Sequence, residues 1–241
     1  MEEKNIHKKK KISSVVTVSH HIRNPSYVLK GYIDALFSEE VGEINDKQRQ
    51  YLSTSLKNIE KINHIVERLI YTIEVEEGFY ELKKEEVDFI KIADDMLKEN
   101  VAIFRATNND VYLNSKDIIP NVIGDKEKIK EVLTSVLFNA IKYKEQGEGK
   151  INIFIGKEEE SVFCKVEDNG VGVLEEEKHK IFKKFYRGKK AIEIDPSGLG
   201  LELYVTKKIV NDWGGNIWVE SNANKGASFI FTIPIGDSKS Y

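Results

Sequence analysis

Hydrophobic residues in the first third of the chain recur at steps of three and four. From Ile12 onward this spacing predicts a helix, with Ser19 and Ser26 filling gaps in its apolar seam. The apolar residues of this first stripe are Val16, Ile22, Leu29, Ile33 and Leu36. After a predicted turn around 38–45, the second stripe consists of Leu52, Leu56, Ile59, Ile62, Val66, Leu69 and Ile73. The sustained spacing is typical of coiled-coil packing.

Two helices joined by a short turn form a hairpin that cannot cover both of its apolar stripes by itself. A second copy of the hairpin would cover them, as in a four-helix bundle. The pattern therefore predicts a homodimer.

Beyond Glu76-Glu77-Gly78 the pattern changes to a mixture of strands and helices. We predict two domains, an all-α helical hairpin over 1–77 and an α+β sandwich over 78–241, with helices on one face of a mixed sheet. The helical patterns cover Val87–Ala106, Lys126–Lys144 and about Leu199–Trp213. Short strands are predicted at Phe79–Leu82 and Val111–Leu113, and alternating strands at 151–155, 162–166, 217–219 and 229–233.

Composition narrows the classes of function. The chain has 241 residues, 40% of them hydrophobic, and a net charge of -3, which gives no reason to expect a nucleic-acid partner. No apolar run approaches the roughly 18 residues of a membrane helix, so we expect a cytoplasmic chain or the soluble part of a longer, membrane-anchored protein. The single cysteine, Cys164, cannot form an internal disulfide and is expected to be buried.

Two glycine-containing segments are candidate ligand loops. Asp168-Asn169-Gly170-Val171-Gly172 follows a predicted strand, which fixes a carboxylate at the strand end and lets the backbone approach a ligand with an amino group. Ser197-Gly198-Leu199-Gly200-Leu201 opens a predicted helix, where free amides and the helix dipole favour phosphate. Each pattern is also compatible with a plain turn.

A third candidate lies near the end of the predicted helix 126–144. Asn139, Lys142 and Tyr143 share one helix face, which offers an amide oxygen suited to magnesium, a cation suited to phosphate and an aromatic ring. The alternative is a solvated polar face.

In this order the segments resemble the ATP-binding domain of sensor histidine kinases, which shares the GHKL fold with gyrase and heat-shock-chaperone ATPases. FNAIKY resembles the N box, EDNGVGV and SGLGL resemble the two glycine boxes, and IFKKFYRG resembles the phenylalanine box. GGNIWVESNANKGASFIFTIP resembles the C-terminal segment, and VSHHIRNPSYVLKGY resembles the phosphoacceptor motif Ser-His-Glu-x-Arg-Thr-Pro. The resemblance implies a histidine kinase that uses ATP and Mg²⁺ and passes phosphate to a response regulator.

The resemblance also implies roles for single residues. Asp168 would accept the adenine amino hydrogen, Gly170 and Gly172 would shape the base pocket, and Tyr143 would flank the base. The remaining nucleotide-binding residues are Asn139 for magnesium, Lys142 for phosphate, Arg187 in an ATP lid over Lys183–Ser197, and Gly198, Leu199 and Gly200 of the second glycine box. The charged lid composition suits a mobile loop.

The same resemblance places the phosphoacceptor at His20, three residues before Arg23 and five before Pro25. Pro25 is expected to bend the helix just past the acceptor. His21 stands where the family usually has a carboxylate that activates the acceptor, so we expect slower or more pH-dependent phosphorylation. Asn24 matches the position that orients water for removing phosphate from a regulator.

Two further departures bear on function. Ser135 stands where the family commonly has a second asparagine and its ATPase relatives a catalytic glutamate, which favours phosphate transfer over plain hydrolysis. Pro196 replaces the first glycine of the second glycine box and stiffens the lid's end.

The first interpretation is an active kinase core; the alternative is a weakened kinase acting as a phosphatase or nucleotide-binding scaffold. The signal sensed, the partner regulator, and transfer within or across a dimer stay open.

Overall fold

The structure is a computed structural model that describes residues 2–80, 82–116, 118–145, 147–221 and 225–236, without the side chains of 2–16 and 18–20. It divides into two compact units, Met1–Tyr80 and Glu81–Tyr241.

The first unit is a helical hairpin of α1, Glu2–Phe37, and α2, Asp46–Glu77. Asn45 begins α2 with a capping box, because its side chain accepts from the Gln48 N–H at 2.9 Å while the Gln48 side chain accepts from the Asn45 N–H at 2.8 Å. Gly78 ends α2 in the left-handed region, at φ 68°. The predicted turn and helix end are thus confirmed.

The two helices pack along part of the predicted seam. Ser26 and Ile33 of α1 and Ile59 and Val66 of α2 are buried. The helix α1 continues through Pro25, and the bend predicted at this residue stays a prediction. Other seam residues are exposed in the single chain, and these are Ile22, Leu29 and Ile62.

The second unit is an α+β sandwich, as predicted. Its helices are α3, Phe89–Glu99; α4, Val101–Ala106; α5, Lys126–Lys142; α6, Lys189–Ile194; and α7, Glu202–Asp212. Its strands are β1, Glu85–Val87; β2, Asn109–Ser115; β3, Val122–Gly124; β4, Gly149–Glu158; β5, Ser161–Asp168; β6, Ile217–Ser221; and β7, Ala227–Pro234.

The main sheet is mixed, with strand order β2-β4-β5-β7-β6. The β2–β4 pair is parallel and the other pairs are antiparallel. One cross-strand row carries apolar residues from every strand and comprises Leu113, Ile153, Val166, Phe229 and Val219. The helices α3, α5 and α7 pack against the sheet, and the Phe89 and Phe231 rings meet with centroids 5.9 Å apart.

Two sequence-based assignments were wrong. The strand predicted at Phe79–Leu82 is not formed by its described residues; after the left-handed Gly78, the Phe79 N–H still donates to the Glu74 carbonyl. The single helix predicted over Val87–Ala106 is instead a strand and two helices. Val87 pairs with Val122 in the β1–β3 sheet, Asp88 then caps α3, and Asn100 separates α3 from α4.

Candidate nucleotide site

A pocket in the second unit lies between α5, the loop after β5, the lid and the turn before α7. It brings together predicted residues that are far apart in the sequence. The predicted residues that line it are Asn139, Lys142, Tyr143, Asp168, Gly172, Arg187, Gly198, Leu199 and Gly200. The structure therefore gathers nine of the ten residues predicted to bind nucleotide at one place.

Asp168 is the last residue of β5, and the sheet holds its carboxyl group at the pocket wall. Its Oδ1 accepts hydrogen bonds from the Gly170 N–H at 2.8 Å and the Ala227 N–H at 3.2 Å. Burial raises the pKa of Asp168 to about 6, although both backbone donors favour the charged form. Above that pH the carboxylate can accept a further hydrogen bond from a ligand.

Gly170 does not line the pocket but lies directly behind it. A Cβ at this position would stand 2.4 Å from the Tyr143 carbonyl oxygen, so the loop can approach α5 this closely with glycine alone. The neighbouring Val171 N–H donates to the same carbonyl at 3.0 Å. Gly170 thus joins the loop after β5 to the end of α5, which places Asp168 beside Tyr143.

The last turn of α5 carries the predicted polar face. The buried Nδ2 of Asn139 has no hydrogen-bond partner in the described part of the chain. Because buried polar atoms are rarely left without a partner, Asn139 fits a ligand supplied from the pocket. Lys142 Nζ lies 5.6 Å from the Tyr143 ring centroid and 2.5 Å from the Asp195 carboxylate. The cation predicted for phosphate is therefore paired with an acidic residue.

The lid contains the short helix α6, which the sequence patterns did not predict. Arg187 donates from Nη2 to the Ala191 carbonyl at 2.7 Å and also to the Asp195 carbonyl. The guanidinium thereby bonds to the C-terminal part of α6 from a residue that precedes this helix. The mobility predicted for this segment stays a prediction.

Sequence reasoning missed several pocket or lid residues, among them Glu177, Lys190 and Asp195. The buried Glu177 carboxylate accepts from the Lys189 N–H at 3.0 Å and the Tyr186 hydroxyl at 3.4 Å, which fixes the start of the lid. Lys190 donates to the Val171 carbonyl at 2.6 Å. Glu177 is the buried member of an acidic run, and no signal in the sequence separates it from its exposed neighbours.

The hairpin carries the other candidate chemistry. His21 and Asn24 are exposed on α1. His20 belongs to the same helix, but its side chain lies outside the described residues. The role of His20 as phosphoacceptor therefore stays a prediction.

The described residues lack two kinds of feature. They include no helix long and apolar enough to cross a membrane. They also include no group of three or more His, Cys, Asp or Glu residues that could hold a metal ion.

The chain combines a helical hairpin that carries exposed polar residues with a sandwich that holds a pocket beside a lid. Family models match each of these two parts. Residues 15–78 match the family model of the His Kinase A (phospho-acceptor) domain. Residues 124–237 match that of the Histidine kinase-, DNA gyrase B-, and HSP90-like ATPase. The two matches fall on the hairpin and the sandwich respectively.

Similar proteins agree with this class. The chain is 28% identical over 221 residues to the sensor histidine kinase WalK of Bacillus subtilis (strain 168), a match that covers 91% of this chain and 36% of WalK. The solved catalytic domain of histidine kinase ThkA is 30% identical with a TM-score of 0.56, covering 65% of this chain and 99% of that domain. The solved structure of histidine kinase ThkA in complex with response regulator protein TrrA is 26% identical with a TM-score of 0.63. That match covers 99% of this chain and 67% of the ThkA chain.

The chain belongs to the sensor histidine kinase family, with a phosphoacceptor domain and a GHKL ATPase domain. This confirms the family and the fold class expected from the motifs. The chain spans about a third of the length of WalK.

Proposed function

We propose that this chain is the kinase core of a two-component system. It transfers the γ-phosphoryl group of ATP to His20 and then to an aspartate of a response regulator. The observation that carries the proposal is the single pocket in which Asn139, Lys142, Asp168 and Arg187 meet. Phosphoryl transfer depends mainly on positioning and charge neutralisation, which this set of residues can supply.

The base of the nucleotide is assigned to the Asp168 end of the pocket. The Asp168 carboxylate accepts the adenine amino hydrogen, and its two backbone donors hold it in place for that contact. Tyr143 flanks the base, and Gly172 leaves room for it in the pocket wall. Gly170 acts indirectly, by holding Asp168 and Tyr143 together.

The phosphates are assigned to Lys142, Arg187 and the turn Gly198-Leu199-Gly200 before α7. Asn139 holds Mg²⁺ through its carboxamide oxygen, a hard donor of the kind that this ion prefers. When bound, Mg²⁺ would neutralise part of the negative charge on the phosphates. The orphaned Nδ2 of Asn139 is a hydrogen-bond donor, so it supports an acceptor such as a phosphate oxygen beside this side chain.

On the hairpin, His20 is the nucleophile. One imidazole nitrogen attacks the γ-phosphorus, the bond to the bridging oxygen breaks, ADP departs, and the imidazole proton is lost to solvent. His21 assists as a hydrogen-bond acceptor in place of the usual carboxylate. Asn24, exposed on the same helix, orients water when phosphate is removed from the regulator.

The working unit is a homodimer in the cytoplasm, where ATP is available. A second hairpin would cover Ile22, Leu29 and Ile62, which are 37%, 54% and 46% exposed in the single chain.

The response regulator docks on the hairpin near His20. That histidine kinase ThkA is solved in complex with response regulator protein TrrA supports this kind of partner.

A second candidate is a weakened kinase that acts as a phosphatase or nucleotide-binding scaffold. His21 favours it, because an imidazole brings no negative charge to stabilise the imidazolium that forms on His20. A chaperone-like ATPase is disfavoured, since Ser135 occupies the position of the catalytic glutamate and its hydroxyl accepts a 2.8 Å hydrogen bond from Thr206.

The test is incubation of the chain with Mg²⁺ and γ-labelled ATP, beside His20→Ala and His21→Ala. We expect a label that is lost in acid, kept in alkali and absent from the His20 variant. No label despite measurable ATP binding would support the phosphatase or scaffold instead.

A further inference from the structure

Asp195 is an acidic residue of the lid that contacts both cations that we assign to phosphate. Its Oδ2 pairs with Lys142 Nζ at 2.5 Å, and its backbone carbonyl accepts from Arg187. A Cβ built on Gly198 would lie 3.0 Å from Asp195 Oδ2 and 3.2 Å from Arg187 Nη2. The Asp195 carboxylate therefore lies within a few ångströms of both cations and of the second glycine box.

The local sequence explains why Asp195 is held there. Pro196 disfavours helical backbone at the preceding residue, so α6 ends at Ile194 and Asp195 takes extended backbone angles, φ -133° and ψ 91°. Asp195 Oδ1 accepts from the Ser197 N–H at 2.9 Å and the Ser197 hydroxyl at 2.6 Å. One carboxylate oxygen thus fixes the turn, and the other is directed at Lys142.

The charge of this carboxylate is firmly held. The Lys142 ammonium and the Ser197 donors lower the pKa of Asp195 well below its ordinary value. Asp195 is therefore anionic throughout the physiological pH range. An anionic nucleotide tail that reaches Lys142 must therefore compete with this carboxylate for the ammonium group.

We infer that Asp195 is an internal competitor for the phosphate groups, and so a specificity-determining residue of the nucleotide site. Nucleotides bind by displacing its carboxylate from Lys142. A ligand with several phosphate charges achieves this displacement, whereas a single weak anion does not. This inference rests on the proposed function, because it assigns Lys142 to phosphate.

Asp195→Asn tests the inference with little change in shape. The remaining carboxamide oxygen can still accept from Ser197, while the negative charge facing Lys142 is lost. We expect AMPPNP, a non-hydrolysable ATP analogue, to bind about two- to five-fold more tightly in the presence of Mg²⁺, the range for losing a partly exposed ion pair. Adenosine, which carries no phosphate, should bind with unchanged affinity.

Two control variants isolate the ion pair. Glu193→Gln removes a charge from an exposed lid residue and should leave the affinity for AMPPNP unchanged. In a Lys142→Met background, which weakens AMPPNP binding by itself, Asp195→Asn should no longer improve it. Calorimetry of the four variants and the unaltered chain gives the coupling between Asp195 and Lys142 directly.

The outcomes separate the two proposals. If the unaltered chain binds AMPPNP and Asp195→Asn binds it no better, the competitor role is wrong while the nucleotide site stands. An equal gain for adenosine, or a gain that persists with Lys142→Met, also overturns the competitor role. If the unaltered chain does not bind AMPPNP at all, the proposed function and this inference fall together.

Discussion

The two units of this chain differ in how far a single chain buries their apolar residues. In the sandwich, Ile153 and Phe231 are fully buried within one chain. In the hairpin, Leu29 and Tyr32 are 54% and 68% exposed, although the seam pattern continues past them. The sandwich thus completes its core by itself, whereas the hairpin needs a partner, which is the physical basis for the proposed dimer.

The polar groups follow the same division. In the sandwich, Lys142 and Arg187 are bonded to Asp195 of the lid within the unit itself. In the hairpin, His21 and Asn24 face solvent. One unit encloses its candidate polar groups, and the other leaves them exposed to solvent.

The largest expected effect comes from removing buried surface in the sandwich. Ile153→Ala should lower the free energy of unfolding by about 2–5 kcal/mol, because the cavity adds to the lost transfer energy. Ile118→Ala, the same chemical change at a residue that is 96% exposed, should change it by less than about 0.5 kcal/mol. Urea denaturation measures both, and equal losses would contradict the assignment of the core.

The next effect concerns the hairpin. Ile62→Glu places a charge at an exposed seam position, so it should weaken the dimer about thirty-fold, as expected for a central interface residue. Lys57→Glu, about 140° around α2 from Ile62, should leave the dimer intact. Sedimentation at micromolar concentration measures both, and a monomeric unaltered chain would overturn the dimer itself.

Much of the fold could be predicted because long elements carry their own periodic signal. The stripes of α1 and α2 and the alternation in β4, β5 and β7 each extend over several repeats. The strands β1 and β3 have three residues each, and Val87 becomes a strand residue by pairing with Val122. Such a pairing depends on a distant segment, so local periodicity cannot reveal it.

The candidate site shows the same limit. Residues inside contiguous motifs, such as Asn139, Asp168 and Gly200, could be chosen from the sequence. Contacts between different motifs could not be predicted from the sequence. The ion pair between Lys142 and Asp195 is the clearest example. The lid helix α6 brings these two residues together, and the sequence patterns gave no sign of that helix.

The third prediction concerns the enclosed chemistry of the sandwich. Asp168 accepts the adenine amino hydrogen much more strongly when it is ionised, and burial raises its pKa to about 6. Adenosine affinity should therefore be constant above about pH 7 and fall about ten-fold by pH 5, as protons compete for the carboxylate. Adenosine is the right probe because it has no phosphate groups that titrate in this range.

Asp168→Asn is the control for this pH profile. It should bind adenosine weakly and with the same affinity from pH 5 to pH 8, since the group that titrates is gone. A profile in this variant that still falls below pH 6 would assign the titration to a different group.

The smallest effect is expected where the chemistry is open to solvent, at His21. His21→Glu restores a carboxylate beside His20, which can hold the imidazole and stabilise the imidazolium that forms during transfer. Because His21 is exposed, water and salt screen the added charge, and the rate of His20 phosphorylation should rise only by about two- to five-fold. His21→Gln, which adds a hydrogen-bonding amide without charge, should not reproduce the gain. Initial rates with γ-labelled ATP compare the three chains; an unchanged or lower rate in His21→Glu would show that a carboxylate is not what the hairpin lacks.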